Sequence, residues 1–351
     1  MNDVISRAAR DEEIGLFLRK AGWRQAEIRP LAGDASNRRY LRIHNGRETA
    51  VLMDAPPGRG EDVIPFIAVT DWLREQASSA PEIYAADTDL GFLLLEDLGD
   101  NLYARHLRAM PSDEAMLYEA AVDLLVELSQ IVPPSGLGRD AYPLAAYDKN
   151  VLLREARLLI DWWVPAARGG TSSADLGTEY GGLLTAKLAF VEDHRNTVVL
   201  RDYHAENLLW LGNRASTARV GLLDYQDALA GHPAYDLVSL LEDARRDTST
   251  DLQAEMIAKY LSRRSDLDAD VFRRDYAVLG GQRNLKIIGI FTRLAVRDGK
   301  PGYLDLIPRV WAHLMHDLQH PVWRDFAAWV DRYIPAPDHE TLDRVRAATE
   351  R

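Results

Sequence analysis

An aspartate and an asparagine lie five positions apart in the stretch LRDYHAEN, which covers residues 200–207. Apolar residues precede Asp202 and follow Asn207, so both side chains lie on a loop between two predicted strands. The hairpin that comes next turns at residues 212–213 and returns to Asp224 after the apolar run VGLL. Because strand ends place side chains at the mouth of a sheet, a ligand can reach all three of these residues.

This set of side chains suits phosphoryl transfer. One carboxylate can accept the proton of an attacking hydroxyl group. An amide oxygen and a second carboxylate are hard oxygen ligands of the kind that Mg²⁺ prefers when it binds nucleotide phosphates. The sequence therefore predicts Asp202 as the catalytic residue, and Asn207 and Asp224 as metal ligands.

The elements that must position these residues divide the chain into two parts. Up to about Asp97, the pattern indicates a helix, three short strands joined by turns, a second helix and two further strands. After Gly99, helical apolar spacing dominates, apart from the strand-and-hairpin block at residues 197–226. We therefore expect an α+β fold with a small antiparallel-sheet lobe at residues 1–97 and a larger, mainly helical lobe at residues 98–351. The segments with helical spacing are residues 4–22, 61–79, 101–131, 147–164 and 176–195.

Composition and missing motifs exclude several classes of protein. The 351 residues include no cysteine, which excludes disulfides and thiolate metal sites, and the net charge of −12 argues against nucleic-acid binding. The chain has neither a run of about 18 apolar residues nor a secretory signal. We therefore expect a cytoplasmic protein without membrane contact. The P-loop, dinucleotide-binding, hydrolase-elbow and zinc-protease motifs are also absent.

The motif R-D-x-x-x-x-N is followed by LLD and then by GHPAYDL at residues 231–237. This order resembles the aminoglycoside phosphotransferase and choline kinase superfamily, whose members are relatives of the protein kinases. A closer similarity is to the anomeric N-acetylmuramate/N-acetylglucosamine kinases of bacterial cell-wall recycling. It rests on GDASNRRYLRI, VLMDAPPG, LLLEDLGD, LRDYHAENLLWL and VGLLDYQDALAGHPAYDLVSLLEDARRD. The resemblance implies a bilobal, protein-kinase-like fold with ATP between the lobes.

The resemblance also implies an activity: ATP- and Mg²⁺-dependent phosphorylation of the anomeric hydroxyl of both amino sugars. The product, a sugar 1-phosphate, would pass to a uridylyltransferase. Two other hypotheses stay open. An aminoglycoside or choline-type kinase would bind a cationic substrate in an acidic pocket. A nucleotide-binding pseudokinase is suggested by Met53, which stands where such kinases carry a lysine on the third strand.

A cation is needed in place of that lysine. No lysine occurs between positions 21 and 148, so an arginine beside the turn GDASNRR would have to pair with the phosphates. Arginine binds phosphate through two parallel hydrogen bonds, which makes the replacement chemically sensible. The candidates are Arg38, Arg39 and Arg42.

Two further segments are predicted to contact the nucleotide. The turn GDASNRR either forms a tight hairpin or covers the phosphates, with Ser36 and Asn37 as donors. The segment LLLEDLG either ends a strand or contacts adenine through its backbone. Together with Arg39, the predicted cofactor-binding residues are therefore Ser36, Asn37, Glu96 and Leu98.

The sugar is expected to contact residues on both sides of the motif. His204 and Asp227 are candidates, although a loop histidine is often only a hydrogen-bonded support. The stretch at residues 280–299 predicts a helix with a cationic stripe opposite an apolar face. That stripe is either a solvated surface or an anion-binding wall, and Arg283 and Asn284 are predicted substrate contacts within this helix. The four stripe residues are Arg283, Lys286, Arg293 and Arg297.

Asp236, in GHPAYDL, has a structural interpretation. Its position predicts a cap on a helix that begins near Leu237, because aspartate accepts hydrogen bonds from the free N–H groups of a helix start.

Overall fold

The computed structural model describes residues 2–24, 26–31, 38–170, 173–192 and 196–349. Ser36 and Asn37, the predicted phosphate donors, lie outside these ranges. The chain forms two units, each built from segments that are distant in sequence. The first unit comprises Met1–Tyr103, Pro134–Leu144 and Asn207–Asp227, and the second comprises Ala104–Pro133, Ala145–Glu206 and Ala228–Arg351.

An antiparallel sheet organises the first unit, and its strand order is β1-β2-β3-β5-β4. The sequence predicts the turn between the second and third strands at Asn45-Gly46, and Gly46 adopts a φ of +66° there. Gly91 (φ +72°) follows the fourth strand, and a Cβ atom at this position would lie 2.0 Å from the carbonyl oxygen of Ala55. The strands are β1 (Glu27–Pro30), β2 (Arg39–Asn45), β3 (Glu48–Asp54), β4 (Ile83–Asp87) and β5 (Phe92–Glu96).

One face of this sheet is covered by the first helix, α1 (Asn2–Lys20). Phe17 and Leu18 of α1 pack with Ile43, Leu52 and other buried side chains of the sheet. Each apolar side chain buried in this way contributes roughly 1.5–3 kcal/mol. Helix α2 (Ile64–Glu75) completes the main elements of the unit.

Two small hairpins also belong to the first unit. Strands β6 (Gly136–Leu137) and β7 (Tyr142–Pro143) form one of them. Strands β9 (Leu208–Trp210) and β10 (Val220–Leu222) form the other, which carries Asn207 at its start and Asp224 after its end. The predicted hairpin after the LRDYHAEN loop is therefore confirmed.

The second unit is mainly helical, and the predicted helices are present with shifted bounds. The segment predicted as one helix over residues 101–131 is interrupted at Pro111, because proline lacks the N–H group that a helix interior requires. Strands β8 (Thr197–Val199) and β11 (Leu229–Gly231) pair antiparallel in this unit. The helices, the first of which begins at Tyr103 of the first unit, are α3 (Tyr103–Ala109), α4 (Glu114–Ser129), α5 (Lys149–Ala156), α6 (Val164–Arg168), α7 (Ala174–Leu188), α8 (Ala234–Leu241), α9 (Thr250–Arg263), α10 (Ala269–Val296), α11 (Ile307–Asp317), α12 (Arg324–Tyr333) and α13 (His339–Ala348).

Helix α10 is the central element of the second unit. Its 28 residues span about 40 Å, and it packs against α5, α8 and α11. Asp268 caps its N-terminus by accepting hydrogen bonds from the N–H groups of Asp270 and Val271, at 3.0 and 2.9 Å. Gly289 lets the helix approach Leu158, since a Cβ atom at Gly289 would lie 2.3 Å from the backbone of that residue. Among the described helices, none is both long enough and apolar enough to cross a membrane.

Candidate functional site

The loop after β8 places Asp202 in a half-buried position within the second unit. The preceding residue, Arg201, has a φ of +72°, a left-handed conformation that costs a residue with a Cβ atom free energy. Asp236 compensates for this cost by holding the backbone. Its carboxylate accepts hydrogen bonds from the N–H groups of Leu200 and Arg201, at 2.6 and 2.8 Å.

The prediction that Asp236 caps a helix near Leu237 is therefore wrong. Helix α8 begins at Ala234, and Asp236 lies in its first turn with its carboxylate on the neighbouring loop. Burial raises the pKa of Asp236 to about 7, although its two backbone donors favour the ionised form. Because its partners lie some 35 positions away in the chain, local spacing could not have shown this role.

Positive charge surrounds Asp202. Burial alone would raise the pKa of its carboxyl group, but nearby cations, of which Lys286 has the largest effect, hold that pKa below its ordinary value. Asp202 is therefore ionised at neutral pH. His204 lies on the same loop and is buried, and burial lowers the pKa of its ring so that the neutral form dominates at pH 7.

The predicted cationic stripe on α10 does not form one continuous wall. Arg283 is only 5% exposed, and its guanidinium donates to the Ser239 hydroxyl at 2.8 Å. The Lys286 ammonium lies 3.1 Å from a carboxylate oxygen of Glu155. Arg297, near the far end of the helix, is exposed and pairs with its neighbour Asp298. Arg283 and Lys286 act on Asp202, so the stripe is neither wholly solvated nor wholly an anion site.

Asn284 has a different environment from the one that a sugar contact requires. It is fully buried, and its amide group donates to Glu242 and Asp317 at 2.7 and 3.0 Å. This position argues against the predicted contact between Asn284 and the substrate.

The predicted metal ligands lie together in the first unit. The backbone carbonyl oxygen of Asn207 accepts a hydrogen bond from the backbone N–H group of Leu223 at 3.0 Å. This bond brings Asn207 beside the residue that precedes Asp224. Asp224 has a φ of +57° and accepts a hydrogen bond from the Gln226 amide at 2.8 Å. The carbonyl oxygen of Gln226 is buried without a hydrogen-bond partner.

This donor set fits a hard divalent cation. Asn207 offers an amide oxygen and Asp224 a carboxylate, while the side chain of Gln226 leaves a buried oxygen unsatisfied beside them. Tyr225 anchors the segment to α2, because its ring stacks on Phe66 with centroids 5.1 Å apart and its hydroxyl lies 2.7 Å from Thr70 Oγ1.

Each of the three candidate arginines of the first unit is held by a carboxylate. Arg38 pairs with Glu61 at 2.7 Å. Arg39 lies 2.6 Å from the fully buried Asp54. Arg42 forms ion pairs at 2.9 and 2.8 Å with two aspartates, Asp97 and Asp100. Met53, in the position of the usual lysine, is itself buried at 1% exposure.

The remaining predicted contacts are placed as follows. The N–H group of Glu96 already donates to the carbonyl oxygen of Glu82 at 2.7 Å, and its carboxylate pairs with Arg214 at 2.6 Å. Leu98 is half-buried just after β5, and Asp227 is exposed after the metal-ligand segment.

Comparisons with known proteins identify the family to which the chain is similar. Residues 27–275 match the phosphotransferase enzyme family. An N-acetylmuramate/N-acetylglucosamine kinase from Caulobacter vibrioides is 38% identical over 91% of this chain and 95% of its own length. A protein of the same name from Pseudomonas aeruginosa is 34% identical over 84% of this chain and 85% of its own length.

Solved structures show the same fold at low sequence identity. Wild-type aminoglycoside 2'-phosphotransferase-IIIa, in its GDP complex, has a TM-score of 0.61 at 16% identity and covers 88% of this chain and 98% of its own. The choline kinase LicA from Streptococcus pneumoniae has a TM-score of 0.57 at 12% identity, with 87% and 99% of the two chains covered. The expected protein-kinase-like α+β fold is thus confirmed. With the family matched over most of its length, the chain belongs to the phosphotransferase enzyme family.

Proposed function

We propose that this chain is an ATP-dependent sugar kinase that phosphorylates the anomeric (C1) hydroxyl of N-acetylmuramate and N-acetylglucosamine. The observation that carries the proposal is the similarity to four curated relatives with that kinase name, at 32–38% identity over 81–91% of this chain. The product, a sugar 1-phosphate, would be consumed by a uridylyltransferase in the cytoplasm, as part of the recycling of peptidoglycan sugars.

Asp202 is the proposed base. Its carboxylate would accept a hydrogen bond from the C1 hydroxyl and orient one lone pair of that oxygen toward the γ-phosphorus. It would take up the proton as the new O–P bond forms and the bond from the γ-phosphorus to the β,γ-bridging oxygen breaks, which releases ADP. A carboxylate with a lowered pKa is a weak base. It is sufficient here because an anomeric hydroxyl is more acidic than an ordinary alcohol, and because a loose transition state requires little proton transfer before bond formation.

The metal ligands are proposed to be Asn207 and Asp224. Mg²⁺ held there would neutralise charge on the nucleotide phosphates. The chain's own contribution is the backbone hydrogen bond from Leu223 to Asn207, which keeps the side chains of Asn207 and Asp224 in the same segment of the structure. Arg38, Arg39 and Arg42 are the proposed replacements for the lysine that Met53 replaces, and the one that binds the phosphates would exchange its carboxylate partner for them.

The charges around Asp202 support an acceptor that is neutral or anionic. N-acetylmuramate carries a lactyl carboxylate, and a chain with a net charge of −12 needs a local cation to bind it. Lys286 and Arg283 supply positive potential beside Asp202. A cationic aminoglycoside or choline would be repelled by the same two side chains, so the geometry does not favour that alternative.

The test is a screen of acceptors with the purified protein. ADP release would be measured with N-acetylmuramate, N-acetylglucosamine, kanamycin and choline, each in the presence of ATP and Mg²⁺. The matched controls are the methyl glycosides of the two sugars, in which the anomeric oxygen is blocked. We expect turnover with both free sugars, none with the methyl glycosides, and a ³¹P signal coupled to H1 of the product.

Three results would contradict the proposal. Phosphorylation of a methyl glycoside would show that another hydroxyl is the acceptor. Preference for kanamycin or choline would show that the substrate is a cation. Nucleotide binding without turnover of any acceptor would favour the pseudokinase instead.

A further inference from the structure

Glu155 of α5 contacts two cations that belong to the surroundings of Asp202. One carboxylate oxygen pairs with the guanidinium of Arg201, the residue before Asp202 in the chain. The other oxygen lies 3.1 Å from the ammonium of Lys286. Glu155 is 15% exposed, and it is 46 positions from Arg201 in sequence. No motif in the chain marks it.

Neighbouring aromatic side chains fix this carboxylate. The Tyr147 hydroxyl donates to Glu155 and also lies 2.9 Å from the hydroxyl of Tyr235. The Tyr147 ring also lies beneath the Arg201 guanidinium, at 5.4 Å from the ring centroid. The Lys286 ammonium donates a hydrogen bond to the Tyr235 hydroxyl at 3.3 Å. Glu155 is ionised, because the attraction of Lys286 and Arg201 outweighs the burial that would raise its pKa.

The alternative partner for Lys286 is Asp202 itself. The charge of Lys286 acts on Asp202 more strongly than that of any other cation described around it. Within the described residues, however, the ion pair of Lys286 is with Glu155. A lysine has a flexible four-carbon stem, so the ammonium of an unrestrained Lys286 would move toward the nearest remaining carboxylate. That movement would occupy the oxygen with which Asp202 must contact the acceptor.

We propose that Glu155 is a positioning residue, which holds Lys286 and Arg201 beside Asp202 and keeps Lys286 from pairing with it. This inference rests on the proposed role of Asp202 as the base. Glu155 does not contact the substrate in this scheme. It acts through Lys286, whose ammonium it holds in an ion pair away from the carboxylate that is to contact the sugar hydroxyl.

The test is a double-mutant cycle with Glu155→Gln and Lys286→Met, measured with the uncharged sugar N-acetylglucosamine. In the wild-type background, Glu155→Gln should lower kcat by about tenfold to a hundredfold, as expected when a catalytic group is displaced or blocked. KM for ATP should stay unchanged. In the Lys286→Met background, the same substitution should lower kcat by about threefold or less, because the competing ammonium is gone. Glu192→Gln, which removes the partner of Lys149 in an ion pair that involves neither Arg201 nor Lys286, is the matched control and should leave kcat unchanged.

A crystal structure of the substrate-free Glu155→Gln protein gives a readout that needs no activity. We expect the Lys286 ammonium within about 4 Å of the Asp202 carboxylate, the distance of an ion pair. Additive losses of kcat in the double mutant, full activity of Glu155→Gln, or an unmoved Lys286 would each overturn the inference. Failure of the proposed function is distinguishable from these outcomes. The wild-type protein would then be inactive on amino sugars, while the position of Lys286 in the variant would still decide the role of Glu155.

Discussion

Asp202 and Asp224 both follow a three-residue strand, but the chain supports them in different ways. Around Asp202 the support is ionic: Asp236 holds the backbone before it, and cations from α10 act on its carboxylate. The contacts around Asp224 include a neutral amide from Gln226 and the packing of the next residue, Tyr225, on α2. These contacts suit the proposed roles. A base needs fixed counter-charges so that it is ionised before the substrate arrives, whereas a metal ligand also gains a counter-charge from the metal that it binds.

The backbone conformations show the same contrast. At the base, the left-handed residue is Arg201, with a φ of +72°, and three groups restrain it. Asp236 binds its N–H, the Ser239 hydroxyl donates to its carbonyl oxygen at 3.2 Å, and Glu155 binds its side chain. At the metal segment, the left-handed residue is Asp224 itself. The loop that carries Asp202 is therefore held by residues outside the loop. We expect substitutions of these residues to displace Asp202 more than substitutions around Asp224 displace Asp224.

The largest expected effect comes from the base. Asp202→Asn should lower kcat by about 10²–10⁴, the range for a positioned acid–base group, because an amide cannot take up the proton of the sugar hydroxyl. The affinity for Mg²⁺-ATP should stay within about twofold of wild type, since the metal ligands are untouched. Steady-state kinetics and calorimetric titration of the nucleotide measure the two quantities. Turnover close to that of the wild type would remove Asp202 from the role of base.

The second expected effect concerns the metal segment. Asp224→Ala should reduce nucleotide affinity in the presence of Mg²⁺ to the value measured with EDTA, a loss of about ten- to a hundredfold. Gln226→Leu is the informative companion, because it removes the amide that contacts Asp224 but leaves both metal ligands. If Asp224→Ala retained the full effect of Mg²⁺ on nucleotide affinity, another group would be the ligand.

Much of this arrangement could be predicted from local pattern, and the rest depends on contacts over long sequence distances. Asp202, Asn207 and Asp224 lie within a stretch of 23 residues that also contains its own strands and turns. Local spacing therefore predicts the hairpin, which the structure confirms. The restraints on Arg201 come from α5 and α8, up to 46 positions away. No periodicity in the sequence relates such residues to one another.

The incorrect or unsupported expectations share a physical cause. Helical spacing correctly identified the face of α10 that carries Arg283 and Lys286, but it could not show which other elements cover that face. The buried Arg283 reaches Ser239, while the nearby Asn284 donates to two buried carboxyl groups. A polar residue on a helix is solvated or buried according to its tertiary neighbours, and those neighbours are set by packing and not by the pattern of the helix itself.

A third prediction concerns charge near the base and tests substrate selectivity. Lys286→Met should lower kcat/KM for N-acetylmuramate about tenfold more than for N-acetylglucosamine, because a charge-assisted contact contributes roughly 1.5–3 kcal/mol and only the former sugar is anionic. Arg297→Ala, directly after the end of the same helix, is the matched control, since Arg297 is exposed and already paired with Asp298. Equal losses for both sugars would show that Lys286 acts on Asp202 alone and not on the lactyl carboxylate.

The smallest expected effect on activity, and the one that separates stability from catalysis, concerns the buried pair of acids that Asn284 contacts. Glu242 and Asp317 are 2% and 3% exposed, and the amide of Asn284 donates to both. Burial raises the pKa of Glu242 to about 7, and burial together with the adjacent Glu242 raises the pKa of Asp317 well above its ordinary range. The two carboxyl groups therefore retain protons in the folded protein at a pH where the unfolded chain has released them.

The sign of the pH dependence follows from proton uptake. Between pH 4.5, the ordinary pKa of glutamate, and about pH 7, the folded state binds more protons than the unfolded state. The free energy of unfolding therefore falls as the pH rises through this window. Glu242→Gln imitates the protonated form. The loss of unfolding free energy between pH 5 and pH 8 should therefore be smaller in this variant by on the order of 2–3 kcal/mol. Urea unfolding at both pH values measures the difference, and the exposed Glu340→Gln, in a solvated pair with Arg344, should leave the slope unchanged. An unchanged slope in Glu242→Gln would mean that the two acids are ionised in the folded state, with their charge balanced by Arg283. In either case, kcat of the variant should differ little from that of the wild type.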